Sequence, residues 1–377
     1  MDRMCNVCKT LFLIPKGIFR LCFILLNNVY CIGTYTIWMI MLYPLRRLGY
    51  QDMYYKIEGK MFHWMLAMVA MWSWWAGYEV MEAGDDITEC LEDRTLVIAN
   101  HQSTGDVPLL MATFNTRRQI LPNIMWIMDS VFKYTNFGIV SVIHQDFFIM
   151  SGRKLRERSL LNLASHIYKK YIPLKRKWLI LFPEGGFLRK RKVGSQKYAL
   201  KNNLPHLEHV TVPRVGALHT IMDCLNPEKV AANNNSTIGT EITLLIDETS
   251  VQKLEWILDI TIAYPKGNPI DLAEIVFGYR PPCKTLMVYK LYPLSQVPKD
   301  PDSLSKWLLN RWVEKERMLE TYYQTGEFPL DENSQLPTPV VQDPLRFLIL
   351  HLIFIASTYF HVQVFAAAYH YCSYLIY

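Results

Sequence analysis

Two stretches of this chain contain no formal charge, and they constrain its fold more than anything else in it. No Asp, Glu, Lys or Arg occurs at positions 21–45 or 347–377. Each run exceeds the ~20 residues a helix needs to cross the hydrocarbon core of a bilayer. The first lies too deep, and lacks the small-residue cleavage site, for a removed secretory signal. Both therefore read as membrane helices that remain in the protein. A third apolar stretch, 61–78, holds Trp64, Trp72, Trp74 and Trp75. At about 18 residues it sits at the lower limit for spanning, and clustered Trp favours the membrane interface, so it reads as a helix lying in one leaflet or turning back, with a second span as the alternative.

The eight cysteines are scattered, and Cys5 and Cys8 form a lone C-x-x-C. Neither a zinc site nor a disulfide framework is expected, and no metal is assigned. The net charge of +6 is unevenly spread. Residues 151–192 carry 13 Lys/Arg against Glu157 and Glu184, leaving 27 basic against 32 acidic residues elsewhere. Such a basic stretch suits an anionic ligand or an anionic lipid surface; no nucleic acid partner is expected.

Between the apolar runs, strand-like and helix-like segments alternate. Strands are expected at 95–100, 124–128, 139–143, 147–150, 178–182, 210–213, 258–264 and 285–292. Helices are expected at 107–114, 154–171, 195–202, 214–225 and 303–323. In 154–171 the residues Leu160, Leu163, Ala164, Ile167 and Tyr171 keep helical spacing. This alternation favours a mainly parallel sheet covered on both faces. The domains then read as membrane or interfacial helices at 1–84, a catalytic α/β domain at 85–323, a linker at 324–344 and a membrane helix at 345–377. Residues 226–252 read as an insertion, with glycosylation triplets beginning at Asn234 and Asn235.

The first chemical motif is Asn100-His101-Gln102-Ser103-Thr104-Gly105-Asp106, where a buried strand gives way to a helix. That edge of an α/β sheet is where ligands bind. A neutral imidazole takes a proton near neutral pH, and a carboxylate on its other nitrogen fixes the tautomer. A positioned base contributes about 10²–10⁴ in rate. Taken alone, H-x₄-D is also what a loop histidine and a helix-capping aspartate would give. The second motif, Phe182-Pro183-Glu184-Gly185-Gly186, again follows a strand. Its glycines let a backbone N–H approach a ligand closely, and one such donor aimed at an oxyanion is worth roughly 3–4 kcal/mol. His144, His166, His206, His209 and His219 lack a partner at useful spacing and read as structural. No G-x-S-x-G elbow is present, which disfavours a serine hydrolase.

The pair of motifs, about 80 residues apart, resembles the glycerolipid acyltransferases of the lysophosphatidic-acid acyltransferase superfamily, with their N-H-x₄-D and F-P-E-G boxes. Val212-Pro213 stands where that family has an apolar, proline-containing box. Thr261–Lys266, Gly278–Pro281 and Thr325–Pro329 look like the branch that acts on lysophosphatidylglycerol. The resemblance implies a mixed α/β sheet flanked by helices, with N-terminal membrane helices and a C-terminal membrane helix. It implies transfer of an acyl chain from acyl-CoA, as co-substrate and with no cofactor, to a hydroxyl of lysophosphatidylglycerol or lysophosphatidylethanolamine. The alternatives are another acceptor, such as monoacylglycerol, or a membrane lipid hydrolase. It implies His101 as base, Asp106 as its orienting partner, and Glu184, Gly185, Gly186 and Pro213 around the substrates. Further implications are an integral endoplasmic-reticulum protein, a cytosolic catalytic face and contact with the bilayer; the oligomeric state is left open. Met150 stands where the family's phosphate-binding arginine is common, so Arg153, then Arg189, is expected to hold the acceptor phosphate.

Overall fold

The structure, a computed structural model, describes residues 2–150, 152, 155–226 and 253–376. Arg153 and the triplets at Asn234 and Asn235 lie outside the described residues. The strands are β1 (Tyr78–Gly84), β2 (Thr95–Ala99), β3 (Ile124–Asp129), β4 (Phe147–Ile149), β5 (Trp178–Leu181), β6 (Trp256–Ala263), β7 (Cys283–Pro293) and β8 (Gln335–Pro339). The helices are α1 (Asp2–Met41), α2 (Tyr43–Arg47), α3 (Gln51–Trp75), α4 (Asp106–Asn115), α5 (Asn136–His144), α6 (Arg156–His166), α7 (Leu188–Lys201), α8 (Val215–Cys224), α9 (Leu272–Phe277), α10 (Pro301–Thr325) and α11 (Pro344–Ile376).

Strands β2 and β5 are buried at every position, as expected of continuous apolar runs covered on both faces. The sheet order is β4-β3-β5-β2-β6-β7-β1-β8. Strands β2 to β6 are mutually parallel, β7 is antiparallel to β6, β1 is parallel to β7, and β8 closes the edge antiparallel to β1. The mainly parallel sheet expected from the sequence is therefore present, and the ends of β2, β3 and β5 share one edge. Alternation sorts the core into two layers. Val97 and Ala99 face a cluster with α3, α4 and α1, whereas Leu96 and Ile98 face α6, α8 and α10.

Several elements differ from the expected ones. Residues 139–143, a β-branched run, form the body of α5. The Thr135 hydroxyl accepts from Gly138 N at 3.1 Å to start that helix, and Gln145, at φ 69°, ends it. Residues 210–213 form no strand and pair with none among the described residues. Their N–H groups go to side chains instead: Val210 to Glu316, Thr211 to Glu184 and Val212 to Ser195. Strand β1 forms where an interfacial helix was expected to end, and β8 forms inside the expected linker. Helix α7 begins at Leu188, seven residues before expectation, and the 154–171 helix closes in a π turn at Ile167–Tyr171.

Helices α1 and α11 are long and apolar enough to cross a membrane. They pack against each other in parallel. Tyr30 meets His351 at 2.6 Å, Thr34 meets Thr358 at 3.0 Å, and Trp38 donates to Ser357 at 2.8 Å.

Candidate active site

Asn100 extends β2 by one residue. Its side-chain amide donates to Ile262 O at 3.0 Å and accepts from Ile262 N at 2.7 Å, imitating a strand ladder on β6. The chain then leaves the sheet, which places His101 at its edge. Gly105 lets the loop close on β6's continuation, because a Cβ there would lie 2.0 Å from Ile270 O. Ser103 donates its hydroxyl to that same carbonyl at 2.5 Å.

Asp106 is the first residue of α4 and is fully buried. Its Oδ2 accepts from His101 Nδ1 at 2.8 Å, Gln102 N at 2.6 Å and Ser103 N at 3.0 Å. Its Oδ1 accepts from the Tyr264 hydroxyl at 2.5 Å. Burial, then the charge of Asp106, holds the Tyr264 phenol well above its ordinary value, so it stays a donor. The carboxylate assigns the proton to His101 Nδ1. That leaves Nε2 as an acceptor on a ring whose side chain is 16% exposed. The imidazole stacks on Phe182 at 4.3 Å between centroids and meets Phe187 edge-on at 5.9 Å. The two motifs therefore meet in space.

Glu184 sits differently from its expected place among the substrates. It is buried, and its carboxylate accepts from His101 N at 3.1 Å, Trp312 Nε1 at 3.1 Å, Thr211 N at 3.1 Å and Thr211 Oγ1 at 2.7 Å. Four protein donors saturate it, so it ties the first motif to the 211 loop and to α10. Burial pushes its carboxyl up to about 7, against the pull of those donors.

The glycine turn is left-handed at Gly185, with φ 70°, and opens further at Gly186, with φ 152°. Gly185 N donates to Phe182 O at 3.0 Å, so that donor is spent. Arg191 donates to Gly185 O at 2.7 Å. A Cβ on Gly185 would lie 3.3 Å from an Arg214 nitrogen, and one on Gly186 2.7 Å from Arg191 Nε. Partial burial, then the charges of Arg191 and Arg156, hold the Arg214 guanidinium below its ordinary value. Among the described residues, no carboxylate lies within ion-pair distance of Arg156, Arg191 or Arg214. Arg189 instead faces solvent and pairs with Asp271 at 3.2 Å. Pro213 ends the 211 loop and precedes Arg214, whose N–H donates to Pro183 O at 2.9 Å.

The sequence alone does not mark Arg156, Arg191 and Arg214 as a cluster, nor Tyr264, Thr211 and Trp312 as partners of the two motifs. Tyr264 carried one usable signal: it stands one residue beyond β6, as Asn100 stands one beyond β2.

Residues 80–216 match the family model described as Acyltransferase, and residues 276–355 match Acyltransferase C-terminus. Acyl-CoA:lysophosphatidylglycerol acyltransferase 1 of Mus musculus and that of Homo sapiens are each 45% identical to this chain over 318 residues, 84% of this chain and 84% of theirs. Lysocardiolipin acyltransferase 1 of Gallus gallus is 26% identical over 310 residues, 82% of this chain and 74% of its own. The molecule is a membrane-associated acyltransferase. It belongs to the acyltransferase family that includes acyl-CoA:lysophosphatidylglycerol acyltransferase 1.

Proposed function

We propose that this protein transfers an acyl chain from acyl-CoA to a free hydroxyl of a lysophospholipid, with lysophosphatidylglycerol or lysophosphatidylethanolamine as acceptor. The observation that carries the reading is the His101–Asp106 contact, which leaves Nε2 free to act as base. Nε2 removes the proton of the acceptor hydroxyl as that oxygen attacks the thioester carbon. Asp106 stabilises the imidazolium. The Gly186 N–H faces the developing oxyanion, since that of Gly185 is bonded within the turn. The carbon–sulfur bond then breaks, and the imidazolium returns its proton to the CoA thiolate, so His101 ends as it began. The acceptor phosphate sits among Arg214, Arg191 and Arg156. Arg214 and Arg191 lie against the glycine turn and Arg156 lies beside Gly216, and guanidinium groups so placed without a paired carboxylate support that reading.

The reading extends to the endoplasmic-reticulum membrane, with the catalytic domain on the cytosolic face where acyl-CoA is supplied. The test mixes full-length protein with labelled acyl-CoA and a panel of lysolipids. Labelled diacyl product from wild type, reduced by at least ~10²-fold in His101→Ala, is the expected result. Free fatty acid as the sole product would make the protein a hydrolase, and full transfer by His101→Ala would remove the proposed base.

A further inference from the structure

The junction between β3 and α5 carries apolar surface that the fold leaves uncovered. The five-residue turn Ser130–Tyr134 exposes Val131 by 70%, Phe132 by 50% and Tyr134 by 88%. The turn is braced at both ends. The Asp129 carboxylate accepts from Val131 N at 3.1 Å, and the Thr135 hydroxyl donates to Phe132 O at 2.8 Å. Gly138 packs so closely beneath it that a Cβ there would lie 2.3 Å from Lys133 O. A braced turn that holds three large apolar side chains outward is a contact surface in waiting.

Its place in the fold identifies the partner. Strand β3 is parallel to β5, and β5 to β2, so the turn leaves the sheet at the same edge as His101 and the glycine turn. Helix α5, which follows, packs against α1. Ile139 on α5 is exposed by 51%, and Leu26 and Val29 on α1 by 61% and 69%, so the apolar surface of the turn continues onto the membrane helix. Lys133 between Phe132 and Tyr134 gives the aromatic-and-cation composition that settles at headgroup level.

We propose that Ser130–Tyr134 inserts into the leaflet, as a membrane contact separate from the two apolar helices. It seats the His101 edge of the sheet on the bilayer. A lysolipid then reaches the base laterally, without leaving the leaflet.

The test uses full-length protein in neutral phosphatidylcholine vesicles, with a photoreactive benzoylphenylalanine replacing Phe132. The control position is Leu336, exposed by 75% on β8 towards the opposite sheet edge. Illumination should attach phospholipid at position 132 and not at 336. An adduct at 132 to protein alone, or none, overturns the proposal. This arm does not depend on the acyl-transfer reading. A second arm rests on that reading: the triple change Val131→Ser, Phe132→Ser, Tyr134→Ser should lower transfer to vesicle-borne lysolipid about 10-fold. Transfer to the same lysolipid in detergent micelles should stay within about twofold of wild type. Equal losses in vesicles and micelles would count against insertion, whereas loss of all transfer by wild type as well would indict the reaction rather than the surface.

Discussion

Asp106 spends both oxygens before any substrate arrives: three donors hold Oδ2, and the Tyr264 hydroxyl holds Oδ1 at 2.5 Å. Tyr264 therefore drains charge from the carboxylate that must steady an imidazolium. Removing its hydroxyl concentrates that charge on the contact with His101. Tyr264→Phe should shift the acid limb of the kcat/KM profile to higher pH, by up to about one unit. It should also lower kcat several-fold, as the carboxylate gains freedom. A drop in rate with an unmoved pH profile would reduce Tyr264 to packing.

Glu184 makes a separate residue-scale prediction. Its carboxyl titrates near 7 in the fold, against an ordinary 4.5. Between those values the folded state binds a proton that the unfolded state has lost, so stability falls as pH rises through about 7. Glu184→Gln removes that titration. Its amide also opposes an N–H donor to the Thr211 N–H, which costs about 1–3 kcal/mol. Thermal midpoints in detergent at pH 5 and pH 8 should fall more for wild type than for the variant. Equal falls would place the pH dependence in other groups.

At the scale of elements, α10 acts as a clamp behind the site. Leu304, Leu308, Arg311, Trp312, Lys315, Glu316 and Leu319 form its buried stripe. Trp312 holds Glu184. One turn on, Glu316 accepts from the backbone N–H groups of Glu208, His209 and Val210 at 2.7 to 3.1 Å. The 208–211 segment is thus ordered by carboxylates in place of a neighbouring strand. Glu316→Gln should free it, at a cost of about 1–3 kcal/mol from donors left unpaired. Limited proteolysis should then cut between 206 and 212 faster than in wild type. An unchanged cleavage rate there would mean that the segment is held by its apolar contacts.

The same segment shows where the sequence stops being readable. Val210, Thr211 and Val212 have the composition of a strand, and only the distant Glu316, Glu184 and Ser195 decide otherwise. Residues 139–143 fail in the opposite sense, because tertiary packing against α1 and α3 overrides β-branched propensity. By contrast, β2 and β5 are legible because a fully buried strand must be apolar throughout. The His101–Asp106 pairing is legible because both residues lie within one short loop. The arginine cluster is not, since Arg156, Arg191 and Arg214 come from three elements that only the sheet order brings together.

At the scale of the whole molecule, the question is how the apolar helices sit against the sheet. Helix α1 touches the catalytic domain at its middle and, through α3, near its end. At its middle, Arg20 donates to Ile275 O at 2.9 Å and Val276 O at 3.2 Å, on α9 beside the site. Near its end, the Tyr35 hydroxyl donates to Glu58 at 2.6 Å, and that carboxylate also meets His144 at 2.7 Å and Arg176 at 3.3 Å. Just past the α1–α3 connection, Asp52 pairs with Lys175 at 3.3 Å. Arg20 and Tyr35 are about 22 Å apart along the helix axis at 1.5 Å per residue, so the helix lies along the domain. A helix that crossed a hydrocarbon core of about 30 Å would carry one end away from a water-exposed domain on the other side. Helix α1 should therefore lie in the leaflet that the domain rests on, with α11 alongside it. Replacing Gln51 and Ser305 singly by cysteine, in a background without other reactive thiols, tests this: both side chains are exposed, one after α1 and the other on α10. A membrane-impermeant maleimide added to sealed, cytosol-side-out vesicles should label both to the same extent. Protection of Gln51→Cys until detergent is added, with Ser305→Cys labelled throughout, would show that α1 crosses and that the Asp52–Lys175 and Tyr35–Glu58 contacts do not hold the helix to the domain in the membrane.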